Sequence, residues 1–207
     1  MALVKHNNNS ISAVTSMASL STGSMTLIKE VTASSDASIS FVDGSSDVVL
    51  DSTYPIYKFE FINMHPATDS VEFQVNFSSD SGSNYNVTKT TTIFEAYHNE
   101  SGSTTALSYA GSDDLAQSTA YQPITRSVGN GNDESASGSL FLFNPSSTTF
   151  VKHFMATTNA YIYSDYTFNE FVAGYCNTTS AVDGVSFKMQ SGNIDAGTIK
   201  LYGIKDS

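Results

Sequence analysis

From Met25 onward, apolar side chains recur at every second residue, in short runs broken by Ser, Asn, Asp and Gly. A period of two places those side chains on one face of an extended strand, whereas a helix needs a period near 3.6. "VEFQVNF" (71–77) alternates without fault, with Val71, Phe73, Val75 and Phe77 expected inward and Glu72, Gln74 and Asn76 outward. That is the pattern of a half-buried antiparallel strand. "PIYKFEFINM" (55–64) sets Tyr57, Phe59 and Phe61 against Lys58 and Glu60 in the same way, and "TKTTTIFEAYH" (88–98) is rich in β-branched and aromatic residues. Further strands are expected at 25–31, 37–41, 138–144, 149–158, 160–166, 170–176, 184–189 and 197–204, with a short one at 121–128, about eleven in all. Residues 99–134, dense in Gly, Ser and Asp, read as long loops.

This rhythm predicts an all-β chain, an antiparallel two-sheet β-sandwich of jelly-roll-like type, with a single up-and-down barrel as the alternative. No fixed internal repeat points to a propeller or solenoid. Residues 1–24 differ: they are small and polar, with Ile11, Val14, Met17 and Leu20 three apart. They are read as an N-terminal arm that orders by docking on a partner surface. Residues 25–207 then form one sandwich domain, a size one core can fill.

Charge narrows the partners. Charged residues are 14% of the chain, against roughly 25% in ordinary soluble domains. The formal net charge is −11, which repels a phosphate backbone and argues against nucleic-acid binding. No run approaches the roughly 20 apolar residues of a membrane-spanning helix. The first 24 residues lack the apolar core, about 7–15 residues long, of a secretory signal. Synthesis in a cytoplasm is therefore expected, and the sequons at Asn76, Asn86, Asn99 and Asn177 are expected to carry no sugar. The single cysteine, Cys176, lies in the apolar run "FVAGYCNTT" and reads as a small buried hydrophobe.

No motif carries catalytic chemistry. "SSDSGSNY" (78–85) resembles an Asp-box hairpin, in which Asp80 would accept backbone N–H bonds, Gly82 would take a positive φ and Tyr85 would tuck beneath. That is a structural turn. Asp43, Asp47 and Asp51 are spaced four apart, without the alternation of a calcium loop. Calcium's adaptable coordination leaves a surface ion open, but no cofactor is indicated. His6, His65, His98 and His153 show no zinc spacing, and His65 with Pro66 reads as a turn. Tyr54, Tyr57, Tyr97, Tyr109, Tyr121, Tyr161, Tyr163, Tyr166 and Tyr175 read as core and interface filling, with a sugar-stacking platform as the alternative. In "SGNIDAGTIKLYGIK" (191–205), Gly192 and Asp195 are expected to shape a turn. Ile199 and Leu201 then oppose Lys200 and Tyr202 on a closing strand whose pairing ends at Gly203.

The blocks "MALVKHNNNSISAVTS", "NYNVTKTTT", "LFNPSSTTFVKHF" and "SGNIDAGTIKLYGIK" resemble virion structural proteins of tailed bacteriophages, especially marine ones. The resemblance spans most of the chain and is weakest over 99–134. It implies a non-enzymatic, β-rich particle component made in the host bacterial cytoplasm and located in the virion. Capsid decoration (cement or head-fibre) is the first expectation and a tail- or fibre-associated role the second. The implied partners are a major capsid or tail protein and further copies of the chain, with a host surface glycan as a further alternative. No catalytic residue comes with it.

Overall fold

A computed structural model describes residues 24–205. Twelve β-strands and no helix occur among them. The strands are β1 (Met25–Thr32), β2 (Ile39–Val42), β3 (Ile56–Pro66), β4 (Phe73–Ser78), β5 (Lys89–Asn99) and β6 (Thr105–Tyr109). They continue with β7 (Gln122–Pro123), β8 (Ala136–Phe143), β9 (Lys152–Ile162), β10 (Tyr166–Cys176), β11 (Gly184–Met189) and β12 (Ile194–Ile204). They form two antiparallel sheets of unequal width, a β-sandwich. The larger runs β1-β12-β3-β8-β9-β10-β5-β6 and the smaller β2-β11-β4-β7. A jelly roll in its simplest form divides eight strands evenly; here the split is eight to four.

The core lies where the alternating faces of both sheets meet. Phe187 of β11 is its hub, with its ring centroid 5.1 Å from Phe61, 5.2 Å from Phe59, 5.8 Å from Phe73 and 6.3 Å from Phe41. Each fully buried ring of this kind contributes about 1.5–3 kcal/mol from area alone. Tyr57, Phe59 and Phe61 do face inward, with Lys58 and Glu60 on the opposite side, paired to each other at 2.7 Å.

Several local expectations need correction. Residues 149–166 do not form two strands parting near 159: one strand, β9, runs unbroken through Asn159 and turns at 163–165 into β10. His65 and Pro66 end strand β3 and pair with β12, so they form no turn. The loop region also holds a strand, β6, on the edge of the large sheet. Gly203 pairs with both Thr26 and Tyr57, so β12 continues through it; its missing Cβ makes room for the Tyr54 ring, which would lie 2.4 Å away. Gly192 takes a φ of 70° in the preceding turn, but Asp195 belongs to β12 at a register shift. The outward face of β4 is not outward either. All six of its residues are buried, Gln74 and Asn76 included, because connecting segments cover that side.

Candidate functional site

Ile11, Val14, Met17 and Leu20 lie outside the described residues. The Asp80 turn is built within them. Asp80 Oδ1 accepts the Asn84 backbone N–H at 2.9 Å and the Ser78 hydroxyl at 2.8 Å, and Oδ2 accepts the Asn84 amide at 2.7 Å. These bonds favour the carboxylate and lower its pKa, the Asn84 side chain contributing most. Gly82 has φ 76°, and a Cβ there would meet Val42 at 2.7 Å and the Tyr85 hydroxyl at 3.1 Å. Both Asp80 carboxylate oxygens are therefore engaged within the turn.

The aspartates of 43–51 serve their loop in the same manner: Asp43 accepts the Leu50 N–H and Asp51 that of Thr53. The tyrosines fall into separate groups, Tyr54 packing edge-on to Tyr57 and Tyr97 to Tyr166. Tyr57 is buried, Tyr97 stacks on Phe168, Tyr109 bonds Asp114, Tyr121 lies under Lys188 and Tyr161 bonds Asp165. His65 lines a cleft of about 520 Å³ with Asp133, Glu134 and Asp195, its Nε2 3.1 Å from the Gly131 carbonyl. No group of three or more metal-binding side chains occurs among the described residues.

Two further features emerge. The first is the outer face of the large sheet. Strand register aligns Tyr109, Phe94, Phe171 and Thr157 in one row, and Thr92, Ala173, Met155, Phe141, Lys58, Tyr202 and Leu27 in the next. Phe94 and Phe171 stack with centroids 4.7 Å apart. Leu107 is 73% exposed, Met155 54% and Phe94 44%. These side chains lay an apolar band across the exposed face of the large sheet.

The second is a pair of buried polar clusters on the inner faces of β5 and β10. At one end Glu95 and Glu170 sit directly opposite each other, 5% and 1% exposed. Arg126 Nη1 donates to Glu95 at 2.8 Å, and its Nε lies 3.2 Å from Asp113. Neither carboxyl oxygen of Glu170 has a hydrogen-bond partner. Burial, reinforced by the Glu95 charge, pushes Glu170 up to about 8. Burial also raises nearby Glu72. Burial thus favours the protonated form of Glu170 at neutral pH.

At the other end Cys176 faces Lys89 of β5 on one side and Lys152 of β9 on the other, and all three are buried. Lys89 Nζ donates to Asn76 Oδ1 at 2.6 Å and to the Val87 carbonyl at 2.9 Å. Lys152 Nζ donates to the carbonyls of Phe150 and Thr178. Burial pushes Lys89 down to about 8 and the Cys176 thiol up to about 12, so burial outweighs the two adjacent lysines and the thiol stays protonated. Cys176 is a buried small side chain, as its apolar run suggests. The lysines around it were overlooked. The available signal was phase: Lys89 and Glu95 share the inward phase of Ile93, as Glu170 and Cys176 share that of Val172.

No family model, curated protein or solved structure matches this chain.

Proposed function

We propose that the chain is a non-enzymatic structural protein of a phage virion, a capsid decoration component that docks on the particle through its N-terminal arm and the broad face of its larger sheet. The observation that carries this reading is the apolar band of Phe94, Phe171, Met155, Phe141 and Leu107 on that face. A rigid eight-stranded sheet offers such a band with little ordering cost on binding. The arm leads into β1, an edge strand of the same sheet. Many copies on one particle would turn a modest contact into a durable one. The acidic balance suits a subunit that stays soluble and off the genome before assembly.

The test is incorporation. Deleting residues 2–24, or placing Asp at Met155 and Phe94 together, is expected to lower the copy number on purified particles by at least about tenfold, equivalent to roughly 1.4 kcal/mol. Undiminished incorporation of both variants would remove this face and the arm from the reading. Loss of signal confined to tails in labelled particles would move the protein from shell to tail.

A further inference from the structure

We propose that Asn76 and Lys89 are the two halves of an intramolecular isopeptide cross-link, formed by the folded chain itself and joining the small sheet to the large one. Asn76 lies on β4 and Lys89 begins β5, and both are fully buried. The amine sits 2.6 Å from the carboxamide oxygen. Because a C=O bond is about 1.2 Å, the carboxamide carbon is within about 3.8 Å of the amine. That approaches the separation of a reactive pair, about 3–3.5 Å.

The carboxamide is held for attack. Its Nδ2 donates to the carbonyls of Tyr85 at 2.5 Å and Thr119 at 3.0 Å, fixing the plane. Its Oδ1 accepts the Phe77 backbone N–H at 2.9 Å, so a fixed donor already polarises the carbonyl where negative charge would develop. Lysine attacks only as the free amine, and burial lowers the Lys89 pKa to about 8, which favours that form. No carboxylate is among the hydrogen-bond partners of Lys89, so no ion pair holds its proton.

The step balances without an oxidant. Lys89 Nζ, as the free amine, forms a bond to Asn76 Cγ. The Cγ–Nδ2 bond breaks, a proton from the attacking nitrogen passes to Nδ2, and ammonia leaves. The protonated Cys176 thiol faces Lys89 across the strand pair. The product is a secondary amide shielded from water. It closes a loop between residues 13 apart, which restricts the unfolded chain. This inference rests on the interior alone and is independent of the docking reading.

Intact-mass measurement of the purified full chain decides it. The wild type is expected to weigh about 17 Da less than its sequence, the mass of ammonia, while Lys89→Arg weighs its sequence mass. Asn76→Asp is expected to lose water instead, about 18 Da, by the same attack. Chymotryptic cleavage after Phe77 and Tyr85 should leave the flanking peptides joined in the wild type, a readout that needs no variant. Full sequence mass after prolonged incubation at mildly alkaline pH, with the peptides separating, would overturn the proposal. So would a 17 Da loss that persists in Lys89→Arg, which would place the loss at another residue.

Discussion

Strands β5 and β10 lie side by side, and their inward faces carry opposite kinds of charge at their two ends. At one end Glu95 and Glu170 face each other beneath Arg126; at the other, six residues further along β10, Cys176 lies between Lys89 and Lys152. The ends are about 20 Å apart at 3.3 Å per residue, too far to neutralise one another. Each is therefore resolved locally, and by different means. The lysine end uses neutral acceptors: backbone carbonyls take up the Lys152 donors, and the Val87 carbonyl and Asn76 carboxamide take up those of Lys89 until a cross-link forms. The acid end has one arginine for Glu95, Asp113 and Glu170, and a proton on Glu170 makes up part of the difference. A buried cation in this protein is satisfied by hydrogen bonds; a buried anion is partly discharged.

The sharpest way to break the comparison is Glu170→Gln. Folding raises the Glu170 pKa from its ordinary 4.5 to about 8, so between those pH values the native state holds a proton that the unfolded chain has released. Stability contributed by this group is complete below about pH 4.5 and falls as pH rises to about 8. Glutamine cannot ionise. The variant is expected to match the wild type near pH 5 and to exceed it at pH 8.5 by on the order of 3 kcal/mol, read from urea denaturation at both values. An equal difference at both pH values would refute the proton on Glu170.

Arg126→Met should act in the opposite sense. It leaves Glu95 and Asp113 without a counter-charge, and removing one partner of a buried pair costs about 3–5 kcal/mol. The arginine side chain is 34% exposed, so a loss near the lower end, about 3 kcal/mol at pH 7.5, is expected from the same titration. The smallest effect belongs to the lysine end. Lys152→Met keeps the buried stem and removes an amine that bonds only two carbonyls, a change expected within about 1 kcal/mol. A loss as large as that of Arg126→Met would show that the two ends are held in the same way.

Alternation made the strands legible. "GVSFKM" and "PIYKFEF" place their aromatic residues in the core as their phase requires, since one face of each strand must be buried. Phase could not say what covers the second face. Gln74 and Asn76 look solvent-facing in sequence and are buried; residues 85 and 119 bring carbonyls over Asn76, and Gln74 donates to Glu72. The buried clusters were hidden for a related reason. Arg126, Asp113, Glu95 and Glu170 come from three separate stretches: the register of β5 against β10 pairs the two glutamates, and the 113–126 segment brings Arg126 and Asp113 to them. The split placed near residue 159 failed because Asn159 looks like a turn residue. On β9 its side chain instead bonds Thr167 and the Phe168 carbonyl across the hairpin.

The large sheet is twice as wide as the small one, so part of its inner side lacks a facing strand layer. Over β5 and β10 that cover comes from residues 113–126: Leu115 and Gln122 bond Thr91, Ile124 receives the Thr158 hydroxyl and Arg126 grips Glu95. The stretch has the composition of a connector and the duty of a wall. Connectors of this make-up elsewhere are places where chains tolerate insertion, trimming or a protease cut. Here shortening it would open the interior to water and flood Glu170 with solvent, so engineers seeking a permissive site should look to the 99–104 hairpin instead.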